Sequence, residues 1–253
     1  MRKNVMHLLE VEDIKKQFGG VAALNGVTFH IDSGEIVGLI GPNGAGKTTL
    51  FNVISGIYLP DRGLVKFVGR NITKMKPHNI ARRGIARTFQ ISQSFGMMSV
   101  IENIMAGVIF GNEQKIGLRR AAEKAEKIME ITHLEDKAHI PADNLTAPEV
   151  RRLELGRAIA AEPVLLLLDE VMGGLRPYEI NEAMELILKV RDEMKVTIFM
   201  IEHIMKSIMN LSDRVIVLDY GLQIAEGTPK EVSENPEVIT AYLGTGTGEM
   251  KDE

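Results

Sequence analysis

Near the start of the chain, Gly41-Pro42-Asn43-Gly44-Ala45-Gly46-Lys47-Thr48 fits the pattern G-x-x-x-x-G-K-[ST]. Glycines at these spacings permit a tight loop whose backbone N–H groups converge on phosphate oxygens. A helix beginning near Lys47 places its positive end on the same phosphates. Lys47 would then reach the β- and γ-phosphates, and the Thr48 hydroxyl would ligate Mg2+. A glycine-rich turn can match by chance, but here an apolar run precedes the loop, and Thr49, Leu50, Phe51, Val53 and Ile54 continue it as a helix. A Mg2+–nucleotide site also needs a hard carboxylate at the end of a neighbouring strand. Asp169, after Val164-Leu165-Leu166-Leu167-Leu168, stands in that place. Glu170 beside it points elsewhere and is suited to polarise an attacking water. Taken alone, the acidic pair reads better as a helix cap at a strand end; the loop at 41–48 in the same chain reverses that preference.

The elements that must position these residues are legible as short apolar runs. Ile36-Val37-Gly38-Leu39-Ile40 leads into the loop, Val164–Leu168 into Asp169-Glu170, and Val196-Thr197-Ile198-Phe199-Met200-Ile201 into Glu202-His203. Strands apolar on both faces belong in a parallel sheet covered by helices. Ile180, Ala183, Met184, Ile187 and Val190 fall at helical spacing after Pro177, a favourable first-turn residue. The fold class is therefore α/β. Residues 5–35 and 63–70 alternate in strand-like pieces and predict a small antiparallel sheet at one edge. The stretch from about 95 to 160 shows no convincing strand; Arg119 to Ile131 and Glu149 to Ala161 read as helices of an inserted helical subdomain. Arg214 to Leu218, a Tyr220-Gly221 turn and Leu222 to Ala225 predict a hairpin. The small, polar tail 244–253 is expected to fray.

Composition narrows the setting. Hydrophobic residues at 45% and charged residues at 25% describe a globular chain, and no cysteine is present, which excludes disulfides, zinc–thiolate sites, iron–sulfur ligation and a thiol nucleophile. No apolar run approaches the roughly 18 residues needed to cross a bilayer, and the first residues lack the apolar stretch of a signal peptide. With 30 basic against 34 acidic residues, a dedicated nucleic-acid binder is not expected. These features predict an intracellular protein that does not itself span a membrane.

Together the motifs resemble the ATP-binding subunits of ABC transporters over nearly the whole chain. The resemblance implies a P-loop NTPase (RecA-like) core with an antiparallel β subdomain and an inserted helical subdomain. It divides the single domain into about 5–94 and 161–243 for the core and β subdomain, and 95–160 for the helical part. It implies an ATPase that closes as a dimer on two ATP molecules. Asn43, Gly44, Ala45, Gly46, Lys47, Thr48 and Thr49 would hold ATP. By the same resemblance Gln90, in Arg87-Thr88-Phe89-Gln90, contacts Mg2+ and senses a permease, His203 bonds the γ-phosphate, and Phe18 stacks on adenine. Each has a plainer reading, as a polar residue after a strand, a structural histidine or a core phenylalanine.

Two family elements are altered. Leu145-Thr146-Ala147-Pro148-Glu149 stands where the family signature reads L-S-G-G-Q, and Gly173-Gly174-Leu175-Arg176 lacks the usual aspartate of the D-loop. Thr146 and Glu149 retain a capping-box pattern, but Pro148 has no N–H to offer the partner's ATP. Tolerated drift is one reading; a weakened signature half-site in an asymmetric dimer is the other. Gly84 to Gln90, Glu202-His203 and the stretch from Ile224 to Gly244 are similar to the branched-chain amino-acid uptake ATPases, with parts shared by urea and lipopolysaccharide-export ATPases. The implied partners are transmembrane permease subunits, met through the surface around Phe95, Gly96, Met97 and Met98, and a second ATPase subunit. No nucleic-acid partner is expected. The implied location is the cytoplasmic face of the cell membrane, reached through partners only. The competing class is a soluble ABC-type ATPase of DNA repair, translation or iron–sulfur assembly; a non-catalytic nucleotide-binding regulator is the other rival.

Overall fold

The apolar runs become the centre of a six-stranded sheet. The structure, a computed structural model, describes residues 7–88, 94–111 and 116–243. Among these the elements in chain order begin β1 (Leu9–Phe18), β2 (Val21–Ile31), β3 (Ile36–Ile40), α1 (Lys47–Ile54), β4 (Arg62–Phe67), β5 (Arg70–Asn71), α2 (Pro77–Arg82) and β6 (Ile85–Arg87). Next come α3 (Val100–Phe110), α4 (Leu118–Thr132), α5 (Ala147–Ile159), β7 (Leu165–Asp169), α6 (Pro177–Met194) and β8 (Thr197–Ile201). The chain continues with α7 (Met205–Leu211), β9 (Arg214–Asp219), β10 (Leu222–Gly227), α8 (Pro229–Ser233) and α9 (Pro236–Leu243).

The large sheet runs β10-β9-β3-β8-β7-β6. Strands β9 to β6 pair in parallel, and β10 closes one edge as the antiparallel arm of the expected hairpin. Alternate residues enter two separate cores. Val37, Leu39, Leu167, Phe199 and Ile201 face one side, while Ile36, Ile40, Leu166, Met200 and Val217 face the other. Burial on both faces is the reason these strands read as unbroken apolar runs. A second sheet, β2-β1-β4-β5, is antiparallel throughout and forms the predicted edge element.

Helix α1 is seated by its aromatic residue. Phe51 is fully buried, its ring 5.0 Å from that of Phe199, which in turn meets Phe29 of the antiparallel sheet at 5.4 Å. Burying each such side chain contributes about 1.5–3 kcal/mol. The same stack therefore ties the helix behind the loop to both sheets.

Between β6 and β7 the described residues carry α3, α4 and α5, packed on one another, with only an isolated bridge between Ser99 and Pro141. Helix α3 was not anticipated. The two predicted helices are present with shifted ends: Leu118–Thr132 for 119–131, and Ala147–Ile159 for 149–161. The second starts earlier because Thr146 is its N-cap and Pro148 lies in its first turn. The tail 244–253, expected to fray, lies outside the described residues. Among the described residues no helix is long and apolar enough to cross a membrane.

Candidate active site

The site lies where β3, β8 and β7 end side by side, the place where open parallel sheets receive ligands. Gly41-to-Gly46 follows β3 and turns directly into α1 at Lys47. Two backbone positions demand glycine. Gly41 adopts φ +149, and a Cβ there would lie 2.0 Å from the Leu218 carbonyl oxygen; Gly46 adopts φ +102, with the Ala23 oxygen 2.3 Å from any Cβ. The hairpin turn braces the loop from outside. Gly221 donates its N–H to the Ala45 carbonyl at 3.0 Å and accepts the Asn25 N–H at 2.8 Å.

Asn43, Gly44, Ala45, Gly46, Lys47, Thr48 and Thr49 wall one pocket of about 230 Å3 together with Glu170, His203 and Ala23. The Lys47 ammonium donates to the carbonyls of Gly41 at 2.7 Å and Pro42 at 3.0 Å. Burial holds its pKa below the ordinary lysine range, and the carboxylates of Glu170 and Asp169 oppose that shift. The N-terminus of α1 has no acidic residue in its first turn and no side-chain cap. Its N–H groups and dipole are thus free to face an anion.

Glu170 and His203, 33 residues apart, are joined: His203 Nε2 lies 2.7 Å from Glu170 Oε1, a bond in which the imidazole donates to the carboxylate. The register explains the meeting, since Asp169 pairs with Ile201 across β7 and β8, and Glu170, one residue on, and His203, two residues on, leave their strands at the same edge. Glu170 sits at φ +52, turned away from the strand direction of Asp169.

Asp169 is buried and ion-paired. Its Oδ2 accepts from Arg87 Nη2 at 2.7 Å, and its N–H donates to Thr88 Oγ1 at 3.1 Å. Arg87 is fixed in turn by Asn52 Oδ1 at 2.7 Å and Ser55 Oγ at 3.1 Å. The other oxygen, Asp169 Oδ1, is buried with no hydrogen-bond partner among the described residues. An orphaned buried carboxylate oxygen beside a phosphate loop fits a hard divalent cation or its water, and Thr48, exposed in the same pocket, adds a second oxygen donor.

The remaining expected residues divide. Phe18 is 43% exposed, set edge-on to Tyr58 with centroids 5.1 Å apart, so the core-phenylalanine reading fails; it does not wall the pocket itself. Gln90 lies outside the described residues. Thr146, Ala147, Pro148 and Glu149 open α5. Glu149 Oε2 accepts both the N–H and the hydroxyl of Thr146, each at 2.8 Å. Arg176 is exposed and caps α6, its N–H donating to Glu179 at 2.6 Å.

Sequence reasoning passed over Arg87 and Glu202. Glu202 is buried and accepts the Met172 N–H at 2.9 Å, bonding the segment after Glu170 to the one carrying His203. Burial chiefly, with Glu170 adding, lifts its pKa from 4.5 to about 7. For Glu202 the available signal was a charged type after the apolar run 196–201; Arg87, after only Ile85-Ala86, carried none. The distant partner that makes each meaningful was not visible.

Comparison with known proteins places this arrangement. The ABC transporter family model matches residues 24–173, and the branched-chain amino acid ATP-binding cassette transporter model matches 223–247. The high-affinity branched-chain amino acid transport ATP-binding protein LivG of Salmonella typhimurium is 41% identical over 253 residues, covering 94% of this chain and 98% of that protein. BraF of Pseudomonas aeruginosa, of the same description, is 39% identical over 249 residues, with 94% and 98% covered. A crystal structure of an ATP-binding cassette of an ABC transporter in its ADP conformation superposes with a TM-score of 0.86 at 33% identity, covering 95% of this chain and all of that one. The chain belongs to the ABC transporter family, as an ATP-binding subunit.

Proposed function

We propose that this subunit hydrolyses ATP to power uptake of branched-chain amino acids through a transmembrane permease, on the cytoplasmic face of the cell membrane and paired with a second ATPase subunit. The observation that carries the hydrolytic reading is the convergence of the phosphate loop, Glu170 and His203 on one pocket. The match at 223–247 and the names of the relatives support the solute.

In this reading the loop N–H groups and Lys47 hold the β- and γ-phosphates in line. Glu170 orients the attacking water and draws its proton, while His203, bonded to Glu170 at 2.7 Å, fixes the carboxylate and stands next to the γ-phosphate. Mg2+, when bound, neutralises phosphate charge, and Thr48 and Asp169 are the residues that would hold it, with Gln90 expected beside them. Arg87, 2.7 Å from one carboxylate oxygen, keeps Asp169 aimed. Phe18 offers an exposed ring for the adenine.

The permease would dock at a groove of about 450 Å3 between α2, α3 and α5, walled by apolar side chains including Ile57, Pro77, Phe95 and Phe110. Met97, two residues after Phe95, is 95% exposed. The start of α5 would face the partner's ATP and, being closed by its own Glu149, would bind that phosphate weakly.

The test is reconstitution with the permease and its solute-binding protein in liposomes. ATP-dependent leucine accumulation, lost in Glu170→Gln, is the expected result. Phosphate release that leucine, isoleucine and valine all fail to stimulate would overturn the assigned solute. Failure to co-purify with any permease would overturn the transporter pairing.

A further inference from the structure

Away from the nucleotide pocket, the antiparallel sheet gathers His7, His30 and Asp32 at one corner, with one ligand-capable atom from each lying within 4.8 Å of the others. The strands put them there. His30 and Asp32 are two residues apart, so they share a face of the β2 end. Leu9 pairs with Ile31, both fully buried, and Leu8 donates its N–H to the Ile31 carbonyl at 2.9 Å. The chain then bends at Leu8, whose side chain is buried, and His7 emerges on the face of His30 and Asp32. The two imidazole rings lie 3.9 Å apart, and His7 Nδ1 is 2.6 Å from Asp32 Oδ1.

We propose that His7, His30 and Asp32 form a binding site for a late first-row divalent ion, Zn2+ as the reference case, that pins the entry of β1 to the exit of β2. Two imidazoles and a carboxylate are the donor set such ions select, and they discriminate against Mg2+, which takes oxygen ligands. Tetrahedral Zn2+ with bonds of about 2.1 Å separates its ligand atoms by about 3.4 Å. The His7–Asp32 pair therefore needs to open by less than about 1 Å, and the widest ligand separation to close by somewhat more, both within reach of side-chain rotation. Side-chain exposures of 28% for His7 and 41% for Asp32 leave a water-accessible fourth position. The neighbouring cation does not oppose the ion: Arg214, which reaches the His30 carbonyl, is paired with Glu35 and Glu226. Asp32 lies on the short link to β3, the strand that feeds the phosphate loop, so the ion would fasten that link to the N-terminal strand.

The experiment uses untagged, chelator-stripped full-length protein without nucleotide, titrated with Zn2+ by calorimetry and with Co2+ by visible absorption, in excess Mg2+. The expected result is one equivalent bound with a tetrahedral or five-coordinate Co2+ spectrum. Affinity should fall at least about tenfold in each of His7→Gln, His30→Gln and Asp32→Asn. Free Zn2+ at about 100 times the wild-type Kd should raise the wild-type Tm by about 5–10 °C and that of each variant by no more than about half as much. Equal Tm values for wild type and variants in chelator would show the variants folded. Zn2+ binding that survives in His7→Gln/His30→Gln, or that is lost in His203→Gln instead, would overturn the proposal. So would the absence of a Zn2+-dependent rise in Tm.

Discussion

Helices α1 and α5 both begin where a phosphate is expected, and they begin in opposite ways. Helix α1 starts from Gly46 with Lys47 first, no acidic residue in its first turn and no side-chain cap, leaving its donors and its dipole for a ligand. Helix α5 starts from Thr146 and already holds an anion: Glu149 takes both the N–H and the hydroxyl of Thr146. That bonding, first from the Thr146 N–H, keeps Glu149 below the ordinary carboxylate range, and Lys137 approaches it at 3.5 Å. Pro148 removes a further donor from the first turn. Helices α3 and α8 begin with the same box, through Glu102 and Glu231. The start of α5 is thus built like that of a purely structural helix. One carboxylate at the third position separates a receptor from a finished cap.

The comparison breaks most directly at the α1 pocket. Glu170→Gln should lower phosphate release by the assembled complex about 100- to 10,000-fold while ATP binding, followed by a fluorescent analogue, persists. Retained hydrolysis would remove Glu170 from its role. Lys47→Ala should cost about 100- to 1,000-fold, whereas Lys137→Ala beside the α5 box should leave turnover nearly unchanged.

Two glutamates sharpen the contrast through pH. Glu149, held low, adds stability present at neutral pH and lost on acidification. Glu202, raised from 4.5 to about 7, does the reverse: its contribution is full below pH 4.5 and is lost as pH rises through about 7. Denaturant titrations at pH 4.5 and 8 should show wild type losing about 3 kcal/mol more than Glu202→Gln over that interval. Parallel curves would remove burial of the ionised carboxylate as the cause.

At α5 the effects are smaller. Thr146→Ala should cost about 1 kcal/mol of stability, read as a lower denaturation midpoint. Freeing the helix start with Pro148→Gly and Glu149→Gln should raise the ATPase of the assembled complex about two- to fivefold, the size of a helix-terminus charge effect. An unchanged rate would mean that the box does not weaken the second site.

Much of the frame was legible because burial leaves a pattern. Strands β3, β7 and β8, buried on both faces, wrote themselves as apolar runs, and the loop at 41–48 carried its own spacing. Helix α3 was not legible, since Val-Ile-Glu-Asn-Ile-Met-Ala-Gly-Val-Ile-Phe is apolar nearly all round; only its Ser99–Glu102 cap announced it. The side-chain pairs of the site were hidden for a different reason. Arg87 meets Asp169 across 82 positions, and His203 meets Glu170 across 33. Both contacts depend on which strands are neighbours and in what register, which local periodicity does not encode.

The Tyr220-Gly221 turn carries a practical consequence for anyone engineering this subunit. Tyr220 is 84% exposed, the usual mark of a place that accepts a tag or an inserted domain. Yet the N–H and carbonyl of the next residue are engaged with Ala45 and Asn25. Lengthening this outwardly permissive turn would loosen the nucleotide cradle from behind, so a peptide tag belongs elsewhere on the surface.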